Sequence, residues 1–199
     1  MGISLMPYAV EINKLKSIFS SKNENLIKEI KSTRIYSCYA LQDKERPISI
    51  ETAIRQIING SPYADSFQDP SAYGYALIVI VDYLGVNLNH AGGNLKLGRI
   101  FDGIINKLKT YNIILDWTNL IEPIYDFGLP SGAGHPIIGG WRKDKFGELL
   151  KSFDQIEITE EHLNWRSKSY DSDLKGVHIL REGIKICTKN NLKWITFAH

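Results

Sequence analysis

Cysteine is nearly absent. The chain of 199 residues has two, Cys38 and Cys187, far apart in sequence, and neither a disulfide framework nor a zinc spacing can be built from them. They read as two reduced thiols. Charge of one sign is also lacking: 24 basic and 22 acidic residues leave +2, too little to argue for nucleic acid or an acidic membrane as partner. Lys14, Lys16, Lys22, Lys28 and Lys31 alternate with Glu11, Glu24 and Glu29, the pattern of a solvated surface. Long apolar runs are missing too. The longest, Ala76 to Val81, falls far short of the roughly 20 residues that span a bilayer. The opening Met1-Gly2-Ile3-Ser4-Leu5-Met6-Pro7 has neither the basic start nor the apolar core of a secretion signal. Met6 stands where a myristoylation signal needs Ser or Thr. These absences give the expectation of a cytoplasmic protein without a membrane partner.

Metal and catalytic motifs are equally scarce. No two of His90, His135, His162, His178 and His199 have the spacing that puts two imidazoles on one helical face, and there is no HExxH. Cys187 follows His178 by two and a half helical turns, so the two side chains point to opposite sides. The acidic residues include no isolated pair in an apolar setting of the kind acid–base catalysis uses. Glu160-Glu161 is explained more simply by a helix dipole. The expectation is no metal and no cofactor.

What is present is an ordinary core. With 43% apolar and 23% charged residues, the chain can fold as a globular protein, read here as a single domain over 1–199. Ile3 to Val10 suits a strand, with Pro7 pointing to an edge or a bulge. Ile12, Leu15, Ile18 and Phe19 recur at helical spacing, as do Leu26, Ile27 and Ile30. Ser49 can cap a helix carrying Ala53, Ile54, Ile57 and Ile58, which Gly60 would end. Asp69 and Pro70 suit the start of a helix running through Tyr73, Leu77, Ile80, Val81 and Leu84 to Gly85. That helix is apolar nearly all round, which places it at the centre of a core.

Leu95 to Leu108 reads as an amphipathic helix, and Ile113 to Thr118 as a strand. Glu122 to Trp141 is dense in Gly and Pro and is expected to be an irregular loop. Helices are expected near Arg142–Phe153, Thr159–Trp165 and Asp171–Cys187, with a closing strand at Leu192–Phe197. The fold class that follows is α+β: a small, mostly antiparallel sheet of N-terminal, middle and C-terminal strands, covered by several helices, with more helix than strand.

The 122–141 loop invites sharper readings. Its glycines around Ser131 and His135 could cradle a phosphate, but no helix start follows, so neither the dinucleotide fingerprint nor the P-loop is met. A hydrolase triad of Ser131, His135 and Asp126 lacks the strand–Ser–helix elbow. Packing as a cover loop through Pro130 and Trp141 is the plainer reading. His90-Ala91-Gly92-Gly93-Asn94 before a helix is a weak anion-site signal. Tyr63, Phe67, Tyr73 and Tyr75 cluster around Pro62 and Pro70, and tyrosine suits both a core edge and an interface.

Several short motifs follow one another along the chain. Leu5-Met6-Pro7-Tyr8-Ala9-Val10 leads into Ile12-Asn13-Lys14-Leu15, and Ala53 to Pro62 follows. Tyr73-Gly74-Tyr75-Ala76 comes next, with Leu84-Gly85 behind it, and the Pro- and Gly-rich loop ends in Gly139-Gly140-Trp141. In these motifs the chain resembles an uncharacterised family of small standalone bacterial proteins, a domain of unknown function. The resemblance covers most of the chain and is least close over Ile156–His199. It implies a domain type and a bacterial cytosolic setting, and no activity.

Two function classes follow. The first is a non-catalytic binding protein that meets another protein, with an immunity- or inhibitor-type protein that masks its partner as the narrower form. The alternative is a small-ligand-binding protein or enzyme with a pocket under the 122–141 loop. The candidate binding residues are Tyr63, Tyr73, Tyr75, His90, Asp126, His135 and Trp141, and no catalytic residue is assigned.

Overall fold

The computed structural model describes residues 4–61, 63, 68–91, 95–96, 99–115, 117–130 and 136–199. Two compact units emerge. One comprises Met1–Ala9, Asn87–Ile124 and Ile138–His199; the other comprises Val10–Val86 and Tyr125–Ile137. The fold is α+β, with antiparallel pairing and more helix than strand, as the sequence led one to expect.

The first unit is organised on a sheet. Its strands are β1 (Ser4–Val10), β2 (Val86–Asn87), β3 (Leu95–Lys96), β4 (Ile137–Trp141) and β5 (Lys193–Ala198), in the order β2-β1-β5-β4, with β3 also on β1. Ser4 and His199 exchange both backbone hydrogen bonds, at 2.7 and 3.0 Å, which is the antiparallel pattern. Successive residues of a strand turn their backbone groups to opposite sides. Leu5, Pro7 and Ala9 therefore face away from β5, toward the side where, among the described residues, the two-residue strands β2 and β3 pair. There Asn89 Nδ2 donates to the Leu5 carbonyl at 3.2 Å. Pro7 thus lies on an interior strand, not the edge or bulge expected. It is tolerated because its missing N–H falls on the sparsely laddered side.

Four helices belong to this unit: α6 (Arg99–Lys109), α7 (Phe146–Phe153), α8 (Glu160–Leu163) and α9 (Ser172–Lys189). Helix α9 contacts the other three, and its buried face runs through Leu174, Val177, Leu180, Ile184 and Cys187. Asp171 caps it, accepting the Asp173 and Leu174 amides at 2.9 Å each, and pairs with Lys107 of α6 at 2.8 Å. Burial opposes ionisation of Asp171. The Lys107 ammonium and the two amides outweigh that and hold its carboxyl below the ordinary range.

The second unit is helical: α1 (Ile12–Ile18), α2 (Glu24–Lys31), α3 (Arg34–Ala40), α4 (Ile50–Asn59) and α5 (Ser71–Leu84). Ser49 caps α4 by accepting the Thr52 amide at 3.0 Å, and Gly60 ends it in the left-handed region at φ 66°, as read from sequence. Helix α5 is buried from Ala72 to Val81, the central element expected of an all-round apolar segment. Its start differs by a residue: Pro70 precedes the helix, and Asp69 accepts the Ser71 hydroxyl instead of capping with its side chain. On the surface, Arg55 bridges Glu24 at 2.9 Å and Glu51 at 3.0 Å, and Lys31 meets Glu51 at 2.6 Å. Part of the charge pattern read as simply solvated is therefore an ion network tying α2 to α4.

Three further expectations are corrected. The strand expected over Ile113–Thr118 is not formed: among the described residues Ile113–Leu115 belongs to no strand, and Trp117–Leu120 is a 3-10 turn. The Gly-rich segment is not irregular throughout, because Ile137–Trp141 is β4. Gly139 and Gly140 do not forbid a strand here, since the absence of a Cβ at Gly139 lets the Ile121 backbone close against it. The helix read over Leu95–Leu108 begins only at Arg99, Leu95 and Lys96 being taken by pairing with Leu5 and Ser4.

Two predictions follow from these contacts. A Cβ on Gly74 of α5 would stand 2.6 Å from Pro136 Cδ, a rigid ring, whereas one on Gly147 of α7 would meet nothing within 4 Å. Gly147→Ala should raise stability by up to about 1 kcal/mol, the helix-propensity gain, while Gly74→Ala should lower it by about 1–3 kcal/mol from overpacking. Chemical denaturation of both variants would check the opposite signs. Asp171→Ala should cost about 1–2 kcal/mol at neutral pH as a lost cap. A depressed carboxyl stabilises fully above its ordinary pKa of 3.8 and loses that stabilisation as pH falls through the lower folded value. The gap between wild type and variant should therefore be flat near neutrality and shrink below pH 3.8 in a pH series of melts.

Candidate functional site

The described residues of the first unit carry a cleft of about 340 Å³. One wall is the run Asn112–Leu115, which leaves α6 after Asn112 adopts a left-handed backbone at φ 59°. The other is built from Trp141 and Arg142 at the end of β4 and from Lys145, Glu148, Leu149 and Ser152 at and along α7. Glu122 closes one side. It is fixed there by a bridge to Gly140, whose N–H donates to the Glu122 carbonyl at 2.9 Å. Arg142 reaches Glu122 at 3.9 Å and Asp144 at 3.6 Å, both loose, solvent-exposed pairs. The rim thus carries both signs of charge over a floor of Trp141, Ile113 and Leu115.

Of the residues singled out from sequence, Trp141 belongs to this cleft. It is anchored: 2% exposed, edge-on to Trp194 at 5.3 Å and to Phe146 at 5.6 Å. The tyrosines do not join it. Tyr73, Tyr75 and Tyr63 lie in the helical unit and make packing contacts. Tyr73 is fully buried, donates to Gln56 Oε1 at 2.6 Å, and meets Tyr63 edge-on at 4.9 Å. Burial raises the Tyr63 phenol. Tyr75 is tilted against Tyr39 at 5.4 Å and covered by the Arg46 guanidinium at 4.3 Å. Burial pushes the Tyr39 phenol up to about 12, so it stays protonated. Asp126 is used locally: its Oδ1 accepts the Gly128 amide at 2.8 Å, a turn contact. His90 falls in the 3-10 turn Leu88–Ala91, with its side chain outside the described residues, where Ser131 and His135 also lie.

Two groups with nucleophilic or basic potential, Cys187 and His178, are set by burial, while Cys38 is exposed. Both cysteines are free; Cys187 is buried, and burial pushes its thiol up to about 12. Burial lowers the His178 pKa, and Glu182 does not offset it, so the imidazole is neutral near pH 7. Among the described residues, no group of three His, Cys, Asp or Glu could hold a metal ion, and no helix is long and apolar enough to cross a membrane.

A second surface feature was not singled out from sequence. Helix α8, whose start is fixed by a capping box, stops at Leu163, two residues short of Trp165, where Asn164 takes an extended backbone. Trp165 then stands 69% exposed on a loop pinned by its own hydrogen bonds. Asn164 Oδ1 accepts the Arg166 amide at 3.0 Å, the Asn164 carbonyl accepts the Ser167 amide at 2.8 Å, and Ser167 Oγ accepts the Ser169 amide at 3.0 Å. The Arg166 guanidinium lies 5.0 Å over the indole. The signal was present in the string Asn164-Trp165-Arg166-Ser167-Lys168-Ser169-Tyr170, two aromatics among polar and basic residues; reading Trp165 as helical concealed it.

The two tryptophans should behave oppositely. Trp141→Ala should cost about 3–5 kcal/mol, as large core truncations do, whereas Trp165→Ala should stay within about 0.5 kcal/mol of wild type. Thermal or denaturant unfolding of the two variants decides it.

No curated protein and no solved structure matches this chain. A family model described as a domain of unknown function (DUF7691) matches residues 1–199. The chain belongs to that family, the domain of unknown function DUF7691.

Proposed function

We propose that this is a non-catalytic binding protein that engages another protein through the loop around Trp165. The observation that carries the reading is a tryptophan left 69% exposed on a backbone already ordered by hydrogen bonds. Burying an indole there would gain apolar area while costing little loop entropy, and Trp and Arg are the residue types on which binding energy concentrates. Arg166 stacks on the ring and Lys168 is exposed beside it, which suits a partner with an acidic rim. The narrower form of the reading is an immunity- or inhibitor-type protein of the bacterial cytosol that masks its partner's active site. Asp126, Cys187 and His178 support a non-catalytic role, the first being committed to a turn and the others uncharged.

A second reading, a small-ligand-binding protein or enzyme with its pocket beside the 122–141 segment, has the cleft at Glu122 and Trp141 in its favour.

Tagged full-length chain used as bait in source-cell lysate should retain one near-stoichiometric prey. Trp165→Ala should reduce retention by about tenfold or more, equivalent to about 1.4 kcal/mol, without lowering the melting temperature. A prey held equally well by the variant, or no prey at all, would refute the Trp165 reading. For the masking form, the purified chain should suppress the purified prey's activity.

A further inference from the structure

Ile114 is 87% exposed, while its neighbours Ile113 and Leu115 are 5% exposed each and belong to the core. The two buried side chains tie down the backbone on either side of it. The Ile113 amide adds to this by donating to the Leu108 carbonyl at 3.0 Å. Ile114 is therefore an apolar side chain presented to solvent at a fixed point. All three residues border the cleft. A protruding aliphatic group and a recess with an apolar floor thus lie side by side on one patch.

The charges of this patch are balanced. Arg142 and Lys145 stand with Glu122 and Glu148 around the recess. Arg142 and Glu122 already share a loose contact within the chain, at 3.9 Å. Lys145 and Glu148 are both exposed, and among the described residues their side chains make no ion pair. They lie three residues apart at the start of α7, which makes them neighbours on one face.

We propose that the cleft is a self-association face, and that its occupant is a second copy of this chain related by a two-fold axis. In such an interface one patch meets itself, so it must carry both halves of every contact. This patch carries them: Ile114 of each copy enters the cleft of the other, and Lys145 of each copy pairs with Glu148 of the other. A patch made for a different molecule needs no such balance, since complementarity then lets it be all recess and of one charge sign. The net charge of +2 leaves little long-range repulsion between copies. The patch is smaller than the roughly 20–30 residues a side of a stable complex, so the dimer is weak and forms as concentration rises. This face is distinct from the Trp165 loop and does not rest on it.

Sedimentation of the full chain over a concentration series up to about 1 mM should show monomer giving way to dimer. Ile114→Asp should weaken the dimer by about tenfold or more and, because the side chain is exposed, leave the melting temperature of the dilute chain unchanged. Lys145→Glu and Glu148→Lys each set like charges against one another across the axis, so each variant alone should stay monomeric. An equimolar mixture of the two should form a dimer again, because opposite charges then meet at both contacts. Trp165→Ala should associate as wild type does. The proposal is overturned if the wild-type chain stays monomeric at about 1 mM, whatever metabolite or other protein then proves to fill the cleft. It is also overturned if Ile114→Asp associates as tightly as wild type, or if the mixed charge variants remain monomers.

Discussion

The first unit depends on the burial of one indole. Trp194, on β5, is fully buried, and its only polar atom is satisfied by donating to Thr196 Oγ1 at 2.8 Å. Thr196 is itself the one buried polar residue among those described, so the pair removes what would otherwise be two costly unpaired groups. Around that ring Trp141 of β4 and Phe146 of α7 stand edge-on. Gly183 of α9 lies against its six-membered ring, where a Cβ would stand 2.5 Å from Cζ3. Sheet edge, flanking helix and long helix are thus set by contact with a single side chain.

This anchoring has consequences for the cleft. Trp141 is held by Trp194 and Phe146, so it forms a fixed floor. Phe146 opens α7, which places Leu149 and Ser152 of the same helix on the opposite wall. The Glu122–Gly140 bridge then fixes the remaining side against β4. A cleft whose walls are positioned by the core is preorganised, and an occupant would not have to order it. The Trp165 loop reaches the same end by other means, local hydrogen bonds rather than core packing.

The helical unit is organised differently. Helix α5 has no polar face over most of its length, and α4 packs beside it through Ala53, Ile54, Ile57 and Ile58. Pro136 closes on Gly74, which answers why a glycine interrupts an otherwise bulky helix. The Tyr–Gly–Tyr string therefore reflects packing: Tyr73 points into the core, Gly74 admits a proline, and Tyr75 stacks with Tyr39 and Arg46.

By itself the sequence determined the α+β class, the first and last strands, the Ser49 and Gly60 ends of α4, the burial of α5 and the place of α9. Each of these rests on local chemistry, namely a side chain that caps, a residue that tolerates positive φ, or an apolar period. Tertiary structure decided what depends on partners distant in the chain. Ile113–Leu115 has strand residues but no ladder partner among the described residues, whereas Gly139 and Gly140 have poor strand propensity but gain Glu122 and the core behind Trp141. Pro7 is admitted to an interior strand because of which side its nitrogen faces, a matter of register with His199. Of the candidate residues, Trp141 lines the cleft because Glu122 and α7 meet it there, and the tyrosines became packing because α5 is central. A ladder partner and a cleft wall are both contacts across the chain, and no local pattern encodes them.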